Sequence, residues 1–329
     1  DACLVGSEMC IRDRIKSISG IRGTIGGEYG DNLTPIDAVN FGCAYGQWIL
    51  NRNLNKKLKV VIGRDARISG KMIQNFVQNS LISMGIDVID LGLSTTPTVE
   101  LMVQEHNANG GIIITASHNP TEWNALKLLD ENGEFLNSKE GEKIVEYSDN
   151  KNFIFSDVHK LGTITKSSDA MNSHIQSVLN LDLVNVDDIK LKKLKIVVDA
   201  VNSTGGIIVP DFLKELDIEV IKLYCEPNGD FPHNPEPLKK NLTELSKKVL
   251  ESNADLGIAV DPDVDRLVFV CEDGELFGEE NTLVACADYV LSKTPGSTVS
   301  NLSSSRALND ITIKHNQVHF YSAVGEVNV

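Results

Sequence analysis

The sequence has no excess of basic residues: Lys and Arg total 31 against 46 Asp and Glu, a formal charge of -15. An acidic surface repels nucleic acid and anionic membranes, which argues against both as partners and obliges any small anionic ligand to find locally clustered basic residues. No apolar run reaches the length of a bilayer span. The 6 cysteines (Cys3, Cys10, Cys43, Cys225, Cys271, Cys286) show neither CxxC nor any other metal-ligand spacing, so they read as reduced thiols of a cytoplasmic protein. Residues 1–14, DACLVGSEMCIRDR, lack the apolar core and cleavage site of a signal peptide and have no periodicity. They are expected to be a non-native leader.

What is present is a chain of 329 residues with 41% hydrophobic content, enough for two or three buried cores. Apolar runs bounded by turn residues alternate with helical patterns, the signature of an α/β sheet with crossovers. A first series runs from LKVVIG through the helix KMIQNFVQNSLISMG, closed by Gly85, to IDVIDLG, then through TPTVELMVQEHNANG, with Pro97 near its start, to GGIIIT. A second begins at LKIVVDAVNSTGG and reaches LGIAV by way of IEVIKLY and NLTELSKKVLESN. A third begins at STVSNL, continues through SSRALNDITIKH to VHFYSAV, and then lacks the further helix and strand that the repeat predicts. The earlier segment TPIDAVNFGCAYGQWILNR reads as a helix with Thr34 as N-cap and Pro35 at its first position. Ile36, Val39, Cys43 and Ile49 are expected on its apolar face. LDENGEF and CEDGELF read as hairpin turns, and EPNGDFPHNPEPLKKN as a proline-rich connector.

The repeat makes two loops equivalent, TASHNP and DPDVDR, each following the third strand of its series. Ligands of open α/β sheets sit beyond the carboxyl ends of the strands, so both loops stand at functional positions. DPDVDR supplies Asp261, Asp263 and Asp265 at alternate positions, hard oxygen ligands for a divalent cation. An EF-hand is the rival, with Glu272 in its twelfth place, but Arg266 stands where that loop needs glycine and LVFV continues as strand. In TASHNP, Ser117 beside His118 is a poor candidate for a hydrolytic pair, because adjacent residues seldom give triad geometry. A serine that carries phosphate, with a cation from the neighbouring loop to offset the charge, fits better. Arg22 in SGIRGT and Lys127 beyond the serine loop are candidate basic partners. For Arg64 and Arg67 in GRDAR, a salt bridge with Asp65 or a solvated loop is an equal alternative.

These stretches, together with SNLSSSRAL, occur in an order that resembles the α-D-phosphohexomutase superfamily: the phosphoglucomutases, phosphomannomutases and phosphoglucosamine mutases. The resemblance covers residue 15 to the end. It implies repeated three-layer mixed-sheet α/β domains around a cleft: 15–155 with the phosphoserine loop, 156–266 with the metal loop, 267–329 an incomplete third, and the fourth absent. It further implies that Ser117 is the phosphorylated catalytic serine, and that Asp261, Asp263 and Asp265 bind Mg2+ beside it. Lys127 is implied to act in proton transfer, as a base if nearby cations lower its pKa. Arg22 would lie near the phosphoserine, His118 would flank it, and Arg266 and Asn119 would bind substrate. The expected ligands are a hexose phosphate and a sugar 1,6-bisphosphate activator; the oligomeric state is not legible. Glu326 stands where phosphomannomutase/phosphoglucomutase enzymes carry histidine, and EPNGDFPHNPEPL and AVGEVNV look more like the phosphoglucosamine mutase branch. Glucose or mannose phosphate, an inactive phosphosugar- and cation-binding fragment, and a phosphatase using the aspartates are the alternatives.

Overall fold

The computed structural model describes residues 15–17, 20–52, 57–324 and 329. The leader segment and Glu326 lie outside the described residues. In chain order the elements are β1 (Ile15–Ser17), β2 (Gly20–Thr24), α1 (Pro35–Arg52), β3 (Lys59–Arg64), α2 (Gly70–Ser83), β4 (Asp87–Leu93), α3 (Thr96–Glu105), β5 (Gly111–Ile114) and β6 (Trp123–Leu129). There follow α4 (Ser138–Asn150), β7 (Ile164–Lys166), α5 (Ala170–Leu179), α6 (Val186–Lys192), β8 (Lys195–Asp199), α7 (Gly205–Glu215), β9 (Glu219–Leu223) and α8 (Thr243–Ser252). The last are β10 (Leu256–Val260), β11 (Leu267–Cys271), α9 (Glu279–Lys293), β12 (Thr298–Asn301), α10 (Ala307–Lys314) and β13 (His319–Ser322).

The first sheet has 7 strands in the order β1-β2-β6-β5-β3-β4-β7, and the second has 4, β11-β10-β8-β9. In both, the third strand of the series (β5 or β10) lies parallel to the first, and the strand after it (β6 or β11) returns antiparallel at its other edge. The parallel pair β12 and β13 repeats the start of the pattern. The sheets run past the expected domain boundaries at 155/156 and 266/267: β7 pairs with β4 in the first sheet, and β11 pairs with β10 in the second.

Strand sequences without polar alternation are explained by burial on both faces. Val60 and Ile62 of β3, with Ile112 and Ile114 of β5, face one core under α1 and α2, whereas Val61 and Ile113 face a second core under α3. In the second sheet Ile196 and Val198 pack with Leu213 of α7, and Val197 packs with Leu245 and Val249 of α8. Each such side chain contributes about 1.5–3 kcal/mol on burial, so both sheets are held from two sides.

Helix α1 begins as its sequence signals. Thr34 N–H and Thr34 Oγ1 both donate to Asp37 Oδ2, at 3.0 and 2.6 Å, tying the residue before the helix to its first turn. Its buried face differs from expectation. Ile36 and Val39 are 57% and 40% exposed, while Phe41, Tyr45 and Trp48 join Cys43 and Ile49 in the core. The larger aromatic surfaces win the buried face, because apolar burial scales with area.

The proline-rich connector between β9 and α8 is tied down by His233. Its Nε2 lies 3.0 Å from Asp199 Oδ2 and its Nδ1 2.8 Å from the Asn234 carbonyl, so acceptors flank both ring nitrogens. Burial lowers the imidazole pKa, but the hydrogen bond and charge of Asp199 outweigh it, and the net direction is upward from 6.5. The stability this pair contributes is therefore fully present below the ordinary histidine value and is lost as pH rises through the raised one. Urea unfolding of His233→Gln against the parent should show a deficit of about 1–2 kcal/mol at mildly acidic pH. The deficit should shrink at alkaline pH; a gap independent of pH would refute the pairing.

Candidate functional site

The turn after β5 puts Ser117 at the carboxyl end of the first sheet with φ +49 and only 5% exposed. Its N–H donates to Thr115 Oγ1 (2.9 Å), and that hydroxyl donates to Asp65 Oδ2 (2.7 Å). Arg67 holds the rest of the loop. Fully buried, it donates through Nε to Asp65 (3.0 Å), through Nη2 to the carbonyls of Ser117 (2.6 Å) and Asn119 (2.7 Å), and through Nη1 to those of Pro120 and Trp123. The expected Asp65–Arg67 salt bridge is thus present, but the planar guanidinium also clamps four backbone oxygens around the serine. Sequence reasoning missed that role, since nothing in GRDAR marks which arginine is buried. Arg64 turns elsewhere, donating to Gln74 Oε1 (3.2 Å) and the Asp65 carbonyl (3.0 Å).

The turn after β10 carries the carboxylates. Asp261 Oδ1 accepts the N–H groups of Asp265 and Arg266, both at 3.1 Å, and closes the loop on itself. Groups of other loops lock it in place. Thr96 N–H donates to the Asp263 carbonyl (2.8 Å) and its hydroxyl to Asp263 Oδ2, while Ser203 and Thr204 hydroxyls donate to the Pro262 carbonyl at 2.7 and 2.8 Å. Ser203 Oγ also accepts Ala66 N–H at 3.2 Å, joining the metal-loop side to the Arg67 loop.

The two turns meet. Ser117 Oγ donates to Asp261 Oδ2 at 2.8 Å and lies 3.2 Å from Asp265 Oδ1. Lys127 Nζ bridges Asp263 Oδ2 (2.8 Å) and Asp265 Oδ2 (2.7 Å). Arg22 Nη1 donates to Asn119 Oδ1 at 3.2 Å. The register of β2 against β6, Gly20 opposite Lys127 and Arg22 opposite Ala125, puts both basic side chains on one face of the sheet. Gly20 has φ +124, and a Cβ there would meet the Leu126 carbonyl oxygen at 1.9 Å, so only glycine permits this close pairing. Arg266 Nη1 lies 3.6 Å from Glu236 Oε1 at the rim. His118 Nδ1 is 3.4 Å from Ser117 Oγ, too long for an effective base.

Burial, then the like charges of Asp263 and Asp265, hold Asp261 well above the usual carboxylate range. Burial also opposes ionisation of Asp265, yet Lys127 outweighs it and lowers that carboxyl. For Lys127 burial would lower the ammonium, but Asp263 and Asp265 prevail and hold it above its ordinary value. This corrects the expectation of a lysine with lowered pKa: in this arrangement Lys127 is the protonated partner of two carboxylates. His118 is lowered by burial and by Arg266, which favours neutral imidazole.

The three carboxylates offer oxygens that all lie within 4.8 Å of one another. Asp263 Oδ1 is buried and accepts no hydrogen bond among the described residues, a costly state for a carboxylate oxygen. Hard, negatively charged oxygens converging with one acceptor unsatisfied are the donor set of a divalent cation such as Mg2+.

Residues 13–154 match the family model for phosphoglucomutase/phosphomannomutase alpha/beta/alpha domain I, and residues 172–274 match that for domain II. A curated phosphoglucomutase/phosphomannomutase of Thermococcus kodakarensis is 36% identical over 94% of this chain and 67% of its own length. A Methanopyrus kandleri protein named "Probable phosphoglucosamine mutase" is 34% identical over 94% of this chain and 66% of its own length. The chain therefore spans about two thirds of the length of these relatives. A solved phosphoglucomutase/phosphomannomutase family protein of Burkholderia thailandensis superposes with a TM-score of 0.80 at 25% identity, over 93% of this chain and 65% of that one. With the serine turn inside the first matched segment and the carboxylate turn inside the second, the chain belongs to the phosphoglucomutase/phosphomannomutase family.

Proposed function

We propose that the complete protein interconverts hexose 6-phosphate and hexose 1-phosphate, with Ser117 as the phosphoryl carrier and a sugar bisphosphate as intermediate and activator. The observation that carries this reading is the 2.8 Å contact of the Ser117 hydroxyl with Asp261 inside a convergent carboxylate trio. We assign the seven-stranded sheet, through β7, to a serine domain, the four-stranded sheet, through β11, to a carboxylate domain and the residues beyond it to part of a third, and place the enzyme in the cytoplasm. Glucosamine phosphate is the substrate we favour, supported by the connector EPNGDFPHNPEPL and by relatives named for that activity.

Asp261, Asp263, Asp265 and the Ser117 oxygen would hold Mg2+, which supplies charge stabilisation for the phosphoryl oxygens. The protein's own residues do the rest. As a sugar hydroxyl attacks the phosphorus of phospho-Ser117, its O–P bond forms, the serine O–P bond breaks, and a proton moves from the sugar oxygen to the serine oxygen. Lys127 and Ser117 share Asp265 as a partner, so Lys127 is placed to relay that proton, giving one and taking one back. Arg22, His118 and Asn119 line the serine side, and Arg266 offers a guanidinium to a substrate phosphate at the rim. Arg67 keeps the serine loop in register.

Incubation with Mg2+ and a hexose 1,6-bisphosphate should add one phosphoryl group to the chain by intact mass, and Ser117→Ala should abolish the gain. A phosphorylated Ser117→Ala variant, or a parent that never gains the group, would defeat the carrier proposal and leave only a passive phosphosugar binder.

Lys127→Met should slow that loading by about 10²–10⁴-fold, followed as a mass time course, while Mn2+ affinity measured by calorimetry holds or rises because a competing ammonium is gone. An unchanged loading rate would remove Lys127 from proton transfer.

A further inference from the structure

Val264 stands between Asp263 and Asp265 with φ +63. A β-branched residue is a marked outlier in the left-handed region, where glycine would sit without strain. Other left-handed residues, Lys151, Lys193 and Asn253, merely close helices. Val264 closes the carboxylate turn instead, its N–H donating to the Asp261 carbonyl at 3.1 Å.

The packing behind the loop shows what holds it there. Its side chain borders an apolar slot of about 160 Å3 between α5 and α7, lined by Ile175, Val178, Ile208, Val209 and Phe212 beside His174. A second apolar cavity of about 320 Å3, also bordered by Val264, runs from Phe212 to Asp265 and Arg266. Helix α7 begins with glycine where the valine seats: a Cβ on Gly205 would lie 3.3 Å from Val264 Cγ2 and 2.4 Å from Val260 Cγ2. The two neighbouring aspartates are thus attached to a residue wedged against a helix, and a small flexible residue there would let them diverge.

We propose that Val264 is a positioning residue for the cation site: its packing against the first turn of α7, beside the slot between α5 and α7, maintains the left-handed turn that aims Asp263 and Asp265 at a common point. The inference rests on the cation reading above and extends it to apolar packing that touches no ligand oxygen.

Mn2+ titration by electron paramagnetic resonance, with metal-free melting measured in parallel, tests it on the full chain. Val264→Ile should bind within about twofold of the parent, because β-branching and the wedge persist. Val264→Ala and Val264→Gly should bind about tenfold more weakly or worse, although glycine relieves the backbone and should melt no lower than alanine. Phe212→Ala, which removes the opposite wall, should weaken binding in the same direction and decides the matter if Val264→Gly does not fold. Parent-like Mn2+ affinity in Val264→Gly or Phe212→Ala, whatever the melting temperature, overturns the proposal. A parent that binds no Mn2+ removes the cation reading itself.

Discussion

The hydrogen bond from the Ser117 hydroxyl to Asp261 joins residues 144 positions apart, on turns that belong to different sheets. Neither turn makes the site alone. Their mutual placement rests on short polar ties: Thr96 to Asp263, Ser203 to both Pro262 and Ala66, and Arg67 to four carbonyls of the serine loop. Buried polar groups cost free energy unless paired, so a set of ties of this kind tolerates few alternative arrangements. The geometry of the site follows from that constraint.

Charge is the second constraint. The chain carries a formal charge of -15, and its site adds three convergent carboxylates, an arrangement that repels any phosphate unless offset. Lys127 offsets two of them, and the upward push on Asp261 together with the unpaired Asp263 Oδ1 marks what remains uncompensated. Arg22 on the serine side and Arg266 at the rim supply the remaining positive field. The three carboxylates are therefore balanced by a few basic side chains contributed by β2, β6 and the carboxylate turn.

Backbone strain falls at the same end of both sheets. Ser117 follows β5, Val201 and Asn202 follow β8, and Val264 follows β10, each with positive φ. Strands whose carboxyl ends converge on one site must turn sharply to present side chains forward, and packing from Arg67, Gly205 and α7 compensates the cost.

Much of this was legible from the residues in order. Patterns of apolar runs locate the repeated α/β series, because strands buried on both faces leave unbroken hydrophobic stretches, and the repeat itself makes the serine and carboxylate turns equivalent. Spacing also singled out Asp261, Asp263 and Asp265, since alternate acidic residues after a strand have few other uses. The structure decided what depends on distance between remote segments: that Arg67 and not Arg64 grips the serine loop, that Lys127 is held protonated by two aspartates, and that aromatic residues displace Ile36 and Val39 from the buried face of α1. Local pattern records which side chains a segment offers. Which of them become buried, paired or strained is settled only when other segments close over them, because desolvation and Coulomb attraction act through space and not along the chain.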